Sequence, residues 1–272
     1  MTNSKLLKIE KLNVEFSSPL GTVHALRNVS FSIETGSILG VVGESGSGKS
    51  TISNSVLGLL AKNARIVSGE IKFDGRNLLT KSNTEMQKIR GPEIATIYQD
   101  PMTSLSPVLS IERQMIDILY RSSKSMSEKK RYAVETLRKV GLPDPETRIK
   151  MYPHELSGGQ RQRVCIAMAV MMKPKLLIAD EATTALDATL EQEIIKLLKE
   201  LQRDLSCTML FITHHLGVVA SLCDQVVVMN DGEIKEYGEV KDVFRNPKHM
   251  YTRKLLRCDP ALIRQKTRKL PT

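Results

Sequence analysis

This 272-residue sequence predicts an α/β fold in which the core carries an antiparallel β subdomain and an inserted α-helical subdomain. Three observations predict it. Short apolar segments of strand type, at residues 37–42, 175–179 and 207–213, alternate with helical patterns. The stretch ahead of the first segment reads as strand, turn, strand, which favours antiparallel pairing. From Ser110 to about Gly141 the texture changes to helical periodicity, which predicts a helical insertion of roughly residues 100–165.

The elements follow in order. Residues 6–16 alternate apolar and polar side chains (Leu7, Ile9, Leu12, Val14, Phe16) and read as a strand; Ser17 to Gly21 is a turn. Residues 23–33 read as a second and a third strand. Thr35-Gly36 then turns the chain into a buried strand at 37–42, and a helix follows from Ser50, ending near Gly58. Residues 68–75 form a short strand closed by a glycine turn, and 94–98 form another that ends at Gln99. In the helical stretch, Ile111, Met115, Ile118 and Leu119 share a face, as do Ala133, Leu137 and Val140. Pro143, Pro145 and Pro153 interrupt it before a helix opens at Ser157. After Pro174, strand and helix alternate again, with Leu190, Ile194, Leu197, Leu198, Leu201 and Leu205 as one buried stripe. A short helix at 216–222, a hairpin about Asp231-Gly232 and helices near 240–245 and 250–257 close the chain.

Composition excludes several classes. Hydrophobic residues at 41% and charged residues at 26% suit an ordinary globular protein. No run of about eighteen apolar residues exists, so nothing here reads as a membrane-spanning helix. The first residues lack the apolar stretch of a signal peptide, so a cytosolic protein is expected. Cys165, Cys207, Cys223 and Cys258 show no C-x-x-C spacing, and the first three read as small core residues. Much of the +10 net charge lies in the last twenty residues, where Arg253, Lys254, Arg257, Arg264, Lys266, Arg268 and Lys269 face one acid, Asp259. Such a tail suits an anionic lipid or nucleic acid, or is a solvated end.

The chemistry begins at Gly43, Glu44, Ser45, Gly46, Ser47, Gly48, Lys49, Ser50 and Thr51, a complete G-x-x-x-x-G-K-[ST] between a strand and a helix. Glycines let successive N–H groups turn inward on phosphate oxygens, and the helix adds its positive end. Lys49 reaches the β- and γ-phosphates and the Ser50 hydroxyl ligates Mg²⁺. A phosphate-loop NTPase core follows, with a nucleoside triphosphate and Mg²⁺ as its expected ligands. Asp180 and Glu181 end a buried strand: Asp180 suits the Mg²⁺ shell, and Glu181, pointing elsewhere, is the candidate general base for an attacking water. Ser157, Gly158, Gly159 and Gln160 open a helix and form a second candidate anion cradle, or a glycine-rich helix cap. Two cradles for one triphosphate are resolved by two chains sharing two nucleotides.

In order, the phosphate loop, Gln99, Leu156 to Gln160, Asp180-Glu181, Thr184-Ala185-Leu186-Asp187 and His214 resemble the nucleotide-binding subunit of ABC transporters, over about residues 5–257. Gly43 to Ser50, Tyr98 to Leu105, Tyr152 to Arg163, Ile212 to Ala220 and Asn246 to Thr252 look like the dipeptide/oligopeptide/nickel importer group. The resemblance implies an ABC ATPase domain at 1–257, with the helical insertion at about 100–165 and a basic tail at 258–272. It implies that Phe16 stacks on adenine, although a core strand residue is the other reading. It further implies that Gln99 senses the γ-phosphate and Mg²⁺, that Ser157, Gly158, Gly159 and Gln160 complete the partner's ATP site, and that Asp187 lies at the dimer interface. His214 would hold the γ-phosphate and the attacking water.

The implied partners are two transmembrane permease subunits reached through the helical insertion, a second ATPase subunit (same or sister chain) and, indirectly, an extracytoplasmic solute-binding protein. The implied place is peripheral, on the cytoplasmic face of the inner membrane. The implied function is ATP hydrolysis that powers uptake of di- or oligopeptides or a nickel complex. The alternatives are an oligosaccharide importer or a nucleic-acid-linked ATPase; the latter would need a long heptad-bearing insertion or two heads, so no nucleic acid is expected. His215 stands where the family usually has Asp, and Ala182 where it has Pro. Only Cys258 represents the family's cysteine-rich ending, so no iron–sulfur cluster is expected.

Overall fold

The computed structural model describes residues 4–19, 21–183 and 186–258. Strand β1 (Lys5–Ser18) pairs antiparallel with β2 (Gly21–Glu34) on one side and β4 (Ala64–Phe73) on the other; β5 (Arg76–Asn77) extends the sheet to the order β2-β1-β4-β5. Leu7 and Ile9, then Leu12 and Val14, of β1 are buried; the period-2 alternation changes phase between Ile9 and Leu12, where the ladder to β2 shifts register.

Residues 23–33 form one strand rather than two. Asn28 takes a φ of 51°, and its N–H donates to Asn13 Oδ1 at 2.9 Å across a register shift between Leu12 and Val14. That bulge absorbs the irregularity without ending the ladder. The same region lengthens β4, which begins at Ala64 rather than at Ser68. Gly69, at φ +107°, packs against the Leu12 backbone where any Cβ would come within 2.6 Å, so the glycine marks a bulge inside the strand.

The second sheet contains β3 (Ile38–Val42), β6 (Ile94–Ile97), β7 (Leu176–Asp180), β8 (Thr208–Ile212), β9 (Gln225–Asn230) and β10 (Glu233–Glu239), in the order β10-β9-β3-β8-β7-β6. All pairings are parallel except the β9–β10 hairpin, which turns at Asp231 and Gly232, both with positive φ. β3 and β8 are buried along their whole length, as parallel strands covered on both faces must be. Alternate residues face two apolar layers. Leu39, Val41, Ile178, Leu210 and Ile212 pack toward α1 (Lys49–Leu57) and the first sheet. Leu177, Ala179, Met209 and Phe211 pack toward α7 (Gly158–Val170) and α8 (Ala188–Leu205).

The helical stretch contains α3 (Pro101–Ser104), α4 (Ile111–Ile118), α5 (Met126–Lys139) and α6 (Pro145–Arg148), after α2 (Asn83–Ile89) of the core. Ser110 and Ser125 cap α4 and α5 through their hydroxyls. Helix α7 runs past residue 165 to Val170 without a break and packs on α3, α4, α5 and β6. The chain continues through α9 (Leu216–Leu222), α10 (Val240–Arg245) and α11 (Met250–Cys258). Of the basic tail, only the part up to Cys258 lies within the described residues. No helix among them is long and apolar enough to cross a membrane.

The cysteines divide as their sequence positions suggested. Burial pushes the Cys165 thiol up to about 12 and Cys207 up to about 11, and raises Cys223 as well, whereas Cys258 is exposed. Because the thiolate is the reactive form, native-state alkylation at neutral pH is expected to label Cys258 and spare the other three until the chain is unfolded. Peptide mass mapping reads the result. Rapid native labelling of Cys165 or Cys207 would contradict the packing.

Candidate ATP site

Strand β3 delivers the chain to Gly43, and the loop that follows is seated directly on neighbouring backbone. A Cβ at Gly43 would lie 2.3 Å from the Met229 carbonyl oxygen of β9, closer than any side chain tolerates. Gly48 takes a φ of +100°, and its Cβ would meet the Ala25 carbonyl of β2 at 2.7 Å. Gly48 is also the N-cap of α1 and offers no side-chain cap, so the first N–H groups of that helix remain available to an anion. Ser47 Oγ is buried with no hydrogen-bond partner, a polar atom that a phosphate oxygen would satisfy. Lys49 is only 5% exposed and its ammonium donates to the carbonyls of Gly43 and Glu44 at 2.8 and 2.9 Å. Burial lowers its pKa, and the carboxylates of Glu181 and Asp180 oppose that shift.

Asp180 ends β7 and meets α1 directly. Ser50 Oγ donates to its Oδ1 at 3.2 Å, and Ser53 Oγ donates to its Oδ2 at 2.7 Å. Burial raises the Asp180 pKa, while the two hydroxyls pull it back. Gln99 lines the same groove as Ser50 and Asp180. A serine hydroxyl, a carboxylate and an amide oxygen form the hard-oxygen set that Mg²⁺ accepts, so the residues present fit that ion.

Glu181 follows in a left-handed conformation, φ 50°, with its N–H donating to the Ile212 carbonyl of β8 at 2.8 Å. This kink turns its side chain away from Asp180 and toward the end of β8, where Glu181 Oε1 lies 3.5 Å from His214 Nδ1. The turn is pinned despite Ala182 standing where a proline was expected. The buried Gln162 of α7 donates through Nε2 to the Ala182 carbonyl at 2.6 Å.

The structure thus brings Lys49, Ser50, Gln99, Asp180, Glu181 and His214 to one end of the parallel sheet. Phe16 is half-buried and pairs with Val23, two residues from the Ala25 carbonyl that touches Gly48, so it lies about 7 Å along the strand from the loop. Ser157 lies elsewhere, at the start of α7 and about 12 Å of helix away from Cys165, which shares the groove with Ser50 and Asp180. Its hydroxyl accepts from Gln160 N–H at 3.4 Å, and Gln160 Oε1 accepts from Ser157 N–H at 3.0 Å, forming a capping box. Gly158 beside it has open space at its Cβ position, while Gly159 is pressed against Leu190 of α8. Asp187 caps α8 by accepting from Leu190 N–H at 3.0 Å. Thr184 and Ala185, in the motif before it, lie outside the described residues.

Three contributors were missed in the sequence. Ser53 could have been found, being three residues beyond Ser50 on the same helical face. Gln162 and Glu191 could not, since their partners at Ala182 and His215 are far along the chain and carry no local signal.

The sequence profile of the ABC transporter family matches residues 26–184. The chain is 48% identical over 264 residues to the dipeptide transport ATP-binding protein DppD of Lactococcus lactis subsp. cremoris, covering 96% of this chain and 76% of that protein. It is 47% identical to the oligopeptide transport ATP-binding protein OppD of Escherichia coli, covering 94% and 76%. Among solved structures it superposes, with a TM-score of 0.77 and 29% identity over 86% of this chain and 98% of that one, on a dimeric ATP-binding cassette in a post-hydrolysis state bound to ADP and Pi. With a family match that spans the phosphate loop and the Asp180–Glu181 strand end, and relatives similar over nearly the whole chain, this protein belongs to the ABC transporter family as an ATP-hydrolysing, ATP-binding subunit.

Proposed function

We propose that this chain is the ATPase subunit that powers an importer of di- or oligopeptides, bound peripherally at the cytoplasmic face of the membrane. The observation that carries the catalytic part is the convergence of Ser50, at the start of α1, with Asp180, Glu181 and His214 at the ends of the adjacent strands β7 and β8. The peptide part is supported by relatives named for dipeptide and oligopeptide transport.

In this reading the N–H groups of the loop and Lys49 hold the triphosphate, and Phe16 stacks on the base. Ser50, Asp180 and Gln99 would hold Mg²⁺, which when bound would neutralise charge on the phosphates. Glu181 accepts the proton of the attacking water. His214 turns Nδ1 to Glu181, leaving Nε2 for the γ-phosphate. Ser157, Gly158, Gly159 and Gln160 complete the site of a second ATPase subunit, whose Asp187 region meets this chain. That subunit is a second copy or a sister chain. Residues 1–257 act as one ATPase domain, with 100–165 as the helical insertion and 258–272 as the tail. The groove of about 750 Å³ between β6, α3 and α7, with Gln99 in its wall, is where two permease subunits would feel the nucleotide. A solute-binding protein outside the membrane would deliver the peptide to them.

Mixing two inactive variants tests the shared sites. Lys49→Ala disables the loop, and Ser157→Arg disables the signature turn. Each alone is expected to be inactive, whereas the mixed dimer pairs one intact loop with one intact turn and recovers ATP hydrolysis. A mixture that stays inactive under conditions where the subunits exchange would show that the site is not shared. Uptake of a labelled dipeptide by cells with and without the chain tests the substrate class.

A further inference from the structure

We infer that Glu191 and His215 form a positioning pair for His214, an inference that rests on the role of His214 given above. The side chains of His214 and His215, neighbours in sequence, pack edge to face, with ring centroids 4.4 Å apart and planes at 85°. That contact can fix the His214 ring only if the His215 ring is itself fixed, and one interaction holds that ring while another holds the backbone that carries it. Glu191 Oε1 lies 3.0 Å from His215 Nδ1, and because a carboxylate only accepts, Nδ1 carries the proton. The backbone N–H of His215 donates to Thr213 Oγ1 at 3.1 Å, and Thr213 is fully buried, so the main chain from which the ring projects is anchored.

Glu191 brings rigidity from another element. It sits in the first turn of α8, and its N–H donates to the carbonyl of the capping Asp187 at 2.8 Å. Its side chain is 18% exposed, so the contact to His215 is less screened than a surface pair. His214 has weaker restraints of its own. Its side chain is 48% exposed, and Glu181, at 3.5 Å, stands at the limit of hydrogen bonding. The His215 ring is therefore the wall against which His214 is aimed. The strand–helix turn sets His215 beside His214, and α8 brings the Glu191 carboxylate to His215. The pair also ties the orientation of His214 to the segment that Asp187 caps.

A positioning role predicts a particular pattern, because ring misorientation slows the chemical step while the loop still binds the nucleotide. Glu191→Ala and His215→Ala are each expected to lower kcat about 10-fold, a cost in keeping with a modest misplacement of a catalytic group. The Kd for a fluorescent ATP analogue is expected to stay at the parent value. The double variant should be no worse than either single one, since both remove the same restraint. Glu191→Gln, whose amide oxygen still accepts, should keep most of the turnover. His215→Asn, which can still donate to Glu191 but presents no ring, should fall as far as His215→Ala. Parent turnover in either alanine variant, or losses that multiply in the double variant, would overturn the pair. His214→Ala run alongside separates the two readings. If it turns over at the parent rate, the role of His214 fails; if it is inactive while both alanine variants are unaffected, only the pair fails.

Discussion

Glu181→Gln is expected to bind ATP as well as the parent, to form the nucleotide-clamped dimer, and to lose turnover by about 10²–10³-fold, within the range that a positioned general base contributes. The reason is geometric. The amide has the shape of the carboxylate, and nothing about the backbone kink at φ 50° or the N–H bond to Ile212 depends on the side-chain charge. The phosphate loop lies on another strand and keeps its contacts. What is lost is the acceptor for the proton of the attacking water. Single-turnover hydrolysis measures the rate, and size-exclusion chromatography with ATP measures the dimer. Turnover within a few-fold of the parent would falsify the assignment of Glu181 as base and leave Asp180 or a water-mediated route to be examined. A large rise in the Kd for ATP would also count against it.

Lys49→Ala should act at the opposite step, abolishing measurable ATP binding with a loss of about 10²-fold or more in affinity, since truncating one partner of a buried charge pair costs about 2–5 kcal/mol. The ammonium is nearly fully buried, braced on the carbonyls of Gly43 and Glu44, and feels both Glu181 and Asp180. Removing it takes away the buried cation that couples to both carboxylates, in a place where phosphates must approach. Lys49→Arg is not expected to rescue binding, because the larger planar guanidinium has no room beneath the loop. Equilibrium titration with a fluorescent nucleotide decides the matter, and near-parent affinity in Lys49→Ala would mean that the loop amides alone hold the phosphates.

Local patterns carried much of this protein. Gly43 to Thr51 announced a phosphate loop because the chemistry of wrapping a phosphate fixes Gly43, Gly48, Lys49 and Ser50 at set spacing within eight consecutive positions. Strands β3, β7 and β8 were legible because burial on both faces demands unbroken apolar runs. Where the reading slipped, at the single strand β2 and the early start of β4, the cause was a pair of bulges. A bulge depends on what a residue meets across the ladder, as Asn28 meets Asn13 and Gly69 meets Leu12, and neither partner is near in sequence.

The sequence by itself determined that the chain carries a phosphate loop, an acidic strand end and a histidine after a strand, and that these belong to an ATP-hydrolysing subunit of the ABC transporter family. Only the tertiary structure decided how they meet. The order β3-β8-β7 sets β8 between the strands that carry the loop and the carboxylates, so that Asp180 bonds to Ser50 and Ser53 while the kink at Glu181 turns its side chain to His214. The same packing brings Gln162 to Ala182 and Glu191 to His215. Strand order and helix placement are settled by burial of apolar faces summed over the whole chain, and no short stretch of residues contains that sum.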